Sequence, residues 1–367
     1  MHIVLTGATG TLGSKLLFTL LESQLPLLTK VYLPIRAKKR VAPQQRLENM
    51  IFSDFVPPFI KKHQSVILSK LQVVDIDTFL KPHCFIKGVL IDYFIHAAGF
   101  VNLSTDPDAK KAIFKENLDF TKLIFNVYVP FIQKFIYIST AFANGDQGGI
   151  IHNDYTINTS KNYRNAYEAS KHEAEQFLLT QSIRTGVPVQ ILRPSVLGGN
   201  ISDAPQYFMS KYMVFYLFAK FFKNCDPNEA IRITTSSLAG LNIIPTDYAA
   251  KVILKAMSTD ILQLNIVNTK DTNLIAGMTK IFTTVGFSNF SFTTEVINEV
   301  TGYLSDLERM YYQTIGSHLT PYLISKPNTW STELLEGILP IPTYEAADYL
   351  SKTVTFAMHQ KFRAQKW

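Results

Sequence analysis

The sequence predicts an α/β protein, a doubly wound parallel sheet joined to a smaller, mostly helical C-terminal lobe. Three observations predict it. Over the first two-thirds of the 367 residues, short β-branched or aromatic runs alternate with longer helical stretches, the pattern of parallel strands joined by crossover helices. The first such run, His2–Thr6, passes straight into a glycine-rich turn and then an apolar helical pattern. Hydrophobic residues make up 47% of the chain and charged residues 18%, a balance that builds a compact core rather than a disordered chain.

Taken in order, the expected strands are His2–Thr6, Lys30–Arg36, Leu71–Val74, Tyr93–Ala97, Lys134–Thr140, Val189–Arg193 and Leu264–Val267. The alternation fades after about Gly198. Tyr207–Phe222 is densely aromatic. It reads as the wall of an apolar channel, as a core helix, or as a helix on a membrane surface, for which its two lysines, Lys211 and Lys220, are few. Ile243–Met257 reads as a turn and helix returning to the sheet. The expected division therefore gives residues 1–200 to a cofactor-binding domain, with 240–270 returning to it. Residues 201–239 and 271–367 form a substrate-binding lobe.

Composition narrows the function. Cys84 and Cys225 stand far apart, which supports no disulfide framework and suits a reducing, cytoplasmic setting. The eight histidines form no HExxH or Cys/His cluster, so no metal site is expected. A net charge of +7 favours anionic ligands such as phosphorylated cofactors, whereas no zinc-finger or RNP signature points to nucleic acid. Neither a secretory leader nor a run of about 18 apolar residues is visible.

The turn Thr6-Gly7-Ala8-Thr9-Gly10-Thr11-Leu12-Gly13 sits between a strand and a helix, as in a Rossmann domain. Gly7 permits the tight turn, Gly10 lets the backbone approach a pyrophosphate, and Gly13 lets helix and strand pack closely. Free N–H groups at the helix start face the phosphate charge, with Thr9, Thr11 and Leu12 in the same turn. The spacing is GxxGxxG rather than GxGxxG. An NAD site places an acid at the end of the second strand. Here that strand runs into Arg36-Ala37-Lys38-Lys39-Arg40, with no acid and four cations. Arg36 is the candidate for the 2′-phosphate of NADPH, helped by Lys39 or Arg40, because a guanidinium grips phosphate through two N–H groups.

Chemistry is expected from two segments. Tyr167 and Lys171 stand four apart on a helix and share a face, where an ammonium favours phenolate formation. The strand ending in Ser139-Thr140 places a hydroxyl at the carboxyl edge of the sheet, where open α/β sheets bind ligands. Thr140 is the candidate to bond a substrate carbonyl, with Ser139 as the neighbouring alternative. Ala97, Ala98 and Gly99 end the fourth strand and leave room for a cofactor. His96 reads better as a core histidine than as a ligand. Asn117 is counted with the cofactor-binding residues, and reads otherwise as a structural bridge or a surface amide.

TGATGTLG, HAAG, ISTA, NAYEASK, Arg193-Pro194-Ser195 and Ile244-Pro245-Thr246-Asp247-Tyr248 together resemble the extended short-chain dehydrogenases/reductases. Within that group the chain is most similar to thioester reductase and fatty acyl-CoA reductase domains. The residues behind this narrower likeness are Val31–Arg36 with Arg46-Leu47, Tyr137–Ala141, and Tyr167–Glu175. The resemblance covers about residues 1–270. It implies Thr140, Tyr167 and Lys171 as the catalytic set. Gly7, Gly10 and Gly13 would hold the pyrophosphate and Arg36 the 2′-phosphate; Lys171 would also touch the nicotinamide ribose, and Pro194 belongs to the cofactor set. It implies NADPH as cofactor, an acyl thioester as substrate, and an aldehyde or alcohol as product. Because the chain begins at its first strand, acyl-CoA or a separate acyl-carrier protein is the expected thiol carrier. Two other readings remain: a ketone, sterol or nucleotide-sugar enzyme of the same group, and a non-catalytic NADP(H) sensor.

Overall fold

The computed structural model describes residues 1–38, 40–154 and 162–367. Seven parallel strands form the central sheet. They are β1 (His2–Thr6), β2 (Lys30–Pro34), β3 (Leu71–Val74), β4 (Tyr93–His96), β5 (Phe135–Ile138), β6 (Val189–Pro194) and β7 (Gln263–Ile266), in the spatial order β7-β6-β5-β4-β1-β2-β3. The order reverses between β1 and β4, and ligands of such sheets bind at that switch point. β2 stops at Pro34, two residues before the expected end. Proline has no N–H to give the ladder, although Ile35 still donates to Val74.

Both faces of the sheet are covered, so its strands are apolar on both sides. Ile3 and Leu5 of β1 point into one cluster, with Leu16, Leu17 and Leu20 of α1 (Thr11–Gln24) and Val252 and Ile253. Val4 points the other way, into an aromatic cluster with Phe94, Phe125, Tyr128 and Phe135. The helix that crosses beside the site, α2 (Ala166–Thr185), contributes Ala174 and Leu178 to that second face.

A third cluster forms the lobe. It joins α3 (Phe215–Lys223), α5 (Leu274–Val285), α6 (Ile315–Leu323) and α7 (Ala346–His359) around Phe218, Phe222, Phe282 and Tyr311. α4 (Thr246–Ala256) lies between α3 and α5 in the chain but packs on the sheet against α1. Within the aromatic stretch Tyr207–Phe222 only the part from Phe215 onward is helical, because Val214 just before it takes a left-handed φ of 53°. Trp330, Leu335 and Trp367 pack into the α1 cluster of the sheet.

The chain leaves the sheet for the lobe through residues 199–205, and acids pin this loop. Asp247 accepts the backbone N–H groups of Ile201, Ser202 and Asp203 at 3.0, 2.8 and 2.9 Å. Asp203 in turn pairs with Lys15 of α1 and Lys251 of α4. No helix among the described residues is long and apolar enough to cross a membrane.

Candidate active site

At the carboxyl edge of β1, the glycine turn is held by contacts that exclude any side chain. Gly7 has φ of 73°, and a Cβ there would stand 2.7 Å from the backbone of Ala97 and Ala98. A Cβ on Gly13 would stand 2.1 Å from the carbonyl oxygen of Gly7. The Gly10 N–H closes the turn on the Gly7 carbonyl at 2.7 Å. α1 then begins with no side-chain cap and no acid in its first turn, so its first N–H groups stay open to an anion. This narrow, uncapped cradle fits a dinucleotide.

The floor of the site is a chain of buried hydrogen bonds. The Ala98 N–H donates to Thr6 Oγ1 at 3.1 Å, and Thr6 Oγ1 lies 2.7 Å from His96 Nδ1. His96 Nε2 lies 3.1 Å from Thr121 Oγ1, which donates to the Asn117 carbonyl at 2.6 Å. These partners assign the tautomer: Thr6 donates to Nδ1, and Nε2–H donates to Thr121. Burial, and then the charge of Lys171, push the imidazole down to about 3, so it is neutral at ordinary pH. His96 is a satisfied core histidine.

Asn117 is fully engaged. Its Oδ1 accepts from Phe100 N at 2.8 Å, and its Nδ2 donates to Phe100 O and to Ser170 Oγ, each at 3.1 Å. It ties the loop after β4 to α2, and it lies in the π-helical stretch Lys115–Asp119. A one-residue swelling of this kind re-aims side chains and recurs at functional sites.

α2 starts at Asn165, whose side chain caps Glu168 N at 3.1 Å. A buried pair between Arg164 and Glu168 at 2.9 Å anchors the same turn. Tyr167 and Lys171 then project together. Tyr167 is hydrogen-bonded to Thr140, and burial raises its phenol above the ordinary range against the lowering effect of that bond. Lys171 donates to the Ile138 carbonyl at 2.8 Å, with its ammonium 4.1 Å from the centre of the Tyr137 ring. Burial lowers the ammonium to about 7, partly offset by the Glu175 carboxylate.

Thr140, Tyr167 and Lys171 line one cavity of about 500 Å³. The same cavity is lined by Gly10, Thr11, Leu12, Gly13, Ala97, Gly99 and Pro194. Gly7, Thr9 and Ala98 are not among its lining residues. From the polar end the cavity runs into the lobe along apolar residues such as Phe218, Leu274, Ile281, Leu319 and Leu350. Its only charged lining residues among the described ones are Lys171 and Lys211.

Arg36 is largely exposed and meets Glu116 at 3.4 Å. Its carbonyl accepts from Arg46 at 2.7 Å, and Arg46 also donates to Thr9 Oγ1 at 2.9 Å and to the Trp367 carbonyl at 3.0 Å. Arg46 is therefore the buried cation beside the turn, a position that sequence reasoning gave to Arg36, helped by Lys39 or Arg40. The signal was present in Arg46-Leu47, but a cation on an amphipathic helix reads as a solvent face. Lys39 lies outside the described residues. Ser139 and Ser195 add buried hydroxyls with no hydrogen-bond partner among the described residues to the cavity wall, and Ser195 entered the sequence reading only as part of Arg193-Pro194-Ser195.

A family model described as male sterility protein, an NAD-binding one, matches residues 5–253. Comparison with curated proteins returns no match. Among solved structures, the chain is similar to a thiolation-reductase di-domain from an archaeal non-ribosomal peptide synthetase. Identity is 22% and TM-score 0.67, covering 99% of this chain and 91% of that one. It is similar to the terminal R domain from the myxalamid PKS-NRPS biosynthetic pathway at 18% identity and TM-score 0.68, covering 100% and 92%. It is also similar to a UDP-glucuronic acid 4-epimerase from Bacillus cereus in complex with NAD, at 17% identity and TM-score 0.63, covering 99% of both chains. At these identities the likenesses establish the fold.

Proposed function

Because the chain belongs to the male sterility protein family of NAD-binding oxidoreductases, within the extended short-chain dehydrogenases/reductases, we propose that it reduces an acyl thioester with NADPH. The thiol carrier is coenzyme A or an acyl-carrier protein, and the product is an aldehyde or the alcohol beyond it. One observation carries this reading. The cavity beside Thr140 and Tyr167 continues into an apolar wall from four lobe helices. An acyl chain gains by leaving water there, whereas a sugar nucleotide would bring hydroxyls that find few partners.

Gly10, Gly13 and the start of α1 would hold the cofactor's pyrophosphate, with Arg46 and Arg36 at the adenosine end. When bound, NADPH supplies the hydride equivalent that the thioester carbon accepts. The chain's own groups handle the oxygen. Thr140 and the Tyr167 hydroxyl donate hydrogen bonds to the carbonyl oxygen as it gains charge. Burial keeps Tyr167 protonated, so it has a proton to deliver to that oxygen. Lys171 lies in the same enclosed space and favours the negative charge left on the phenol once it is given up. Breaking the C–S bond then frees aldehyde and thiol. Free Cys84 and Cys225 support a reducing, cytoplasmic setting.

The test mixes the purified protein with NADPH and acyl-CoA thioesters of increasing chain length, following NADPH loss and free thiol together. One thiol released per NADPH consumed for an aldehyde product is the expected result. NADPH turnover on a ketone or sugar nucleotide without thiol release would sink the proposal.

A further inference from the structure

The lobe carries one cation into the cofactor end of the cavity. Lys211 lines the same cavity as Gly10, Thr11 and Leu12, yet it belongs to the segment that leads into α3. Its surroundings are tied down. The carbonyl of the preceding Ser210 accepts the Gln365 N–H at 2.8 Å. Two residues further on, the Trp367 carbonyl accepts from Arg46, which also holds Thr9 of the glycine turn. Lys211 thus enters where three segments meet: the turn, the helix bearing Arg46, and the end of the chain.

The charges there are unbalanced. Among the described residues no side-chain carboxylate pairs with Lys38, Arg46 or Lys211, and the one oxygen of Trp367 that meets Arg46 lies at 3.0 Å. Arg46 is 8% exposed, and its Nε is buried with no hydrogen-bond partner among the described residues. Burial lowers the Lys211 ammonium, and the charges of Lys38 and Arg46 lower it further. An anion between like charges and an unpartnered donor relieves their repulsion and gives the donor an acceptor.

We propose that Lys211 completes, with Lys38 and Arg46, a site for the cofactor's adenosine 2′-phosphate, so that the cofactor itself fastens the lobe to the dinucleotide-binding domain. The inference rests on the NADPH reading above and adds a ligand from the opposite side of the cleft. Cofactor choice and lobe position then depend on one contact.

The test is binding rather than turnover. Dissociation constants of NADPH, NADH and 2′,5′-ADP are measured by fluorescence titration for the full chain and for Lys211→Met and Lys211→Arg, after thermal melting confirms that each is folded. Lys211→Met is expected to weaken NADPH and 2′,5′-ADP about tenfold while changing NADH less than about twofold, the size of one charge-assisted contact. Lys211→Arg is expected to retain most of the affinity. An unchanged NADPH constant in Lys211→Met overturns the proposal. Equal loss for NADPH and NADH overturns it too, by moving Lys211 to the pyrophosphate. If the parent chain binds neither cofactor, this proposal and the NADPH reading fall together. If NADPH binds as expected but no thioester is reduced, only the substrate reading fails.

Discussion

Glu175 and Arg193 form a bidentate pair at the centre of the molecule. Both carboxylate oxygens take a guanidinium N–H at 2.9 Å, and neither side chain is exposed. Glu175 stands one helical turn beyond Lys171 on α2, and Arg193 lies on β6. The remaining guanidinium donors reach the Asn153 carbonyl and Gln263. The pair fixes the site helix to the strand beneath it.

Removing one partner leaves the other charge buried and uncompensated. Glu175→Gln is expected to cost about 3–5 kcal/mol of stability, read from urea unfolding. A loss below about 1 kcal/mol would mean that water reaches Arg193 once the carboxylate is gone.

Tyr167→Phe removes the phenol hydroxyl with little change of shape. Turnover on the best thioester is expected to fall about 10²–10⁴-fold, with the NADPH dissociation constant unchanged. Near-parent turnover would show that another group protonates the carbonyl oxygen.

Lys171 makes stability depend on pH in a definite direction. Its ammonium is lowered to about 7 in the folded chain from 10.5. Between those values the unfolded chain binds more protons, so stability rises with pH across that window. Below it both states are protonated and the full burial penalty remains. The contribution approaches about 1.4 kcal/mol per pH unit within the window. Comparing urea unfolding at pH 7.5 and 9 for the parent and Lys171→Met isolates it. Equal pH slopes in both proteins would contradict the assignment.

Arg36 and Arg46 differ in burial, and their variants are expected to differ likewise. Arg46→Met should reduce the preference for NADPH over NADH by about tenfold or more, because a buried guanidinium is little screened. Arg36→Ala should reduce it less, since that side chain is largely exposed. Titration of both variants with both cofactors checks this, and the reverse order would return the main role to Arg36.

The sheet was legible because its strands are buried on both faces and read as unbroken apolar runs between turns. The glycine turn was legible because its glycines answer steric demands, such as the 2.1 Å approach of a Gly13 Cβ to Gly7. Tyr167 and Lys171 were readable from helical spacing. Other parts depend on distant pairings that leave no local trace. Arg46 meets Trp367 across 321 residues of sequence. Lys211 lies in an aromatic run whose spacing says nothing of the cations it faces. The start of α3 and the end of the strand at Pro34 were misjudged by a few residues, because the Val214 torsion and one missing N–H set those limits.

The hydrogen-bond chain through Thr6, His96, Thr121 and Asn117 has a single polarity, with each hydroxyl committed to donate in one direction. It starts at the backbone N–H of Ala98 and ends on the backbone carbonyl of Asn117, and neither peptide group supplies or takes up a proton at ordinary pH. It therefore serves as an insulator rather than a wire. Acidification at the surface therefore has no path through His96 to the glycine turn, and in the reaction proposed above the proton for the carbonyl oxygen comes from Tyr167 and the cavity that opens beside it.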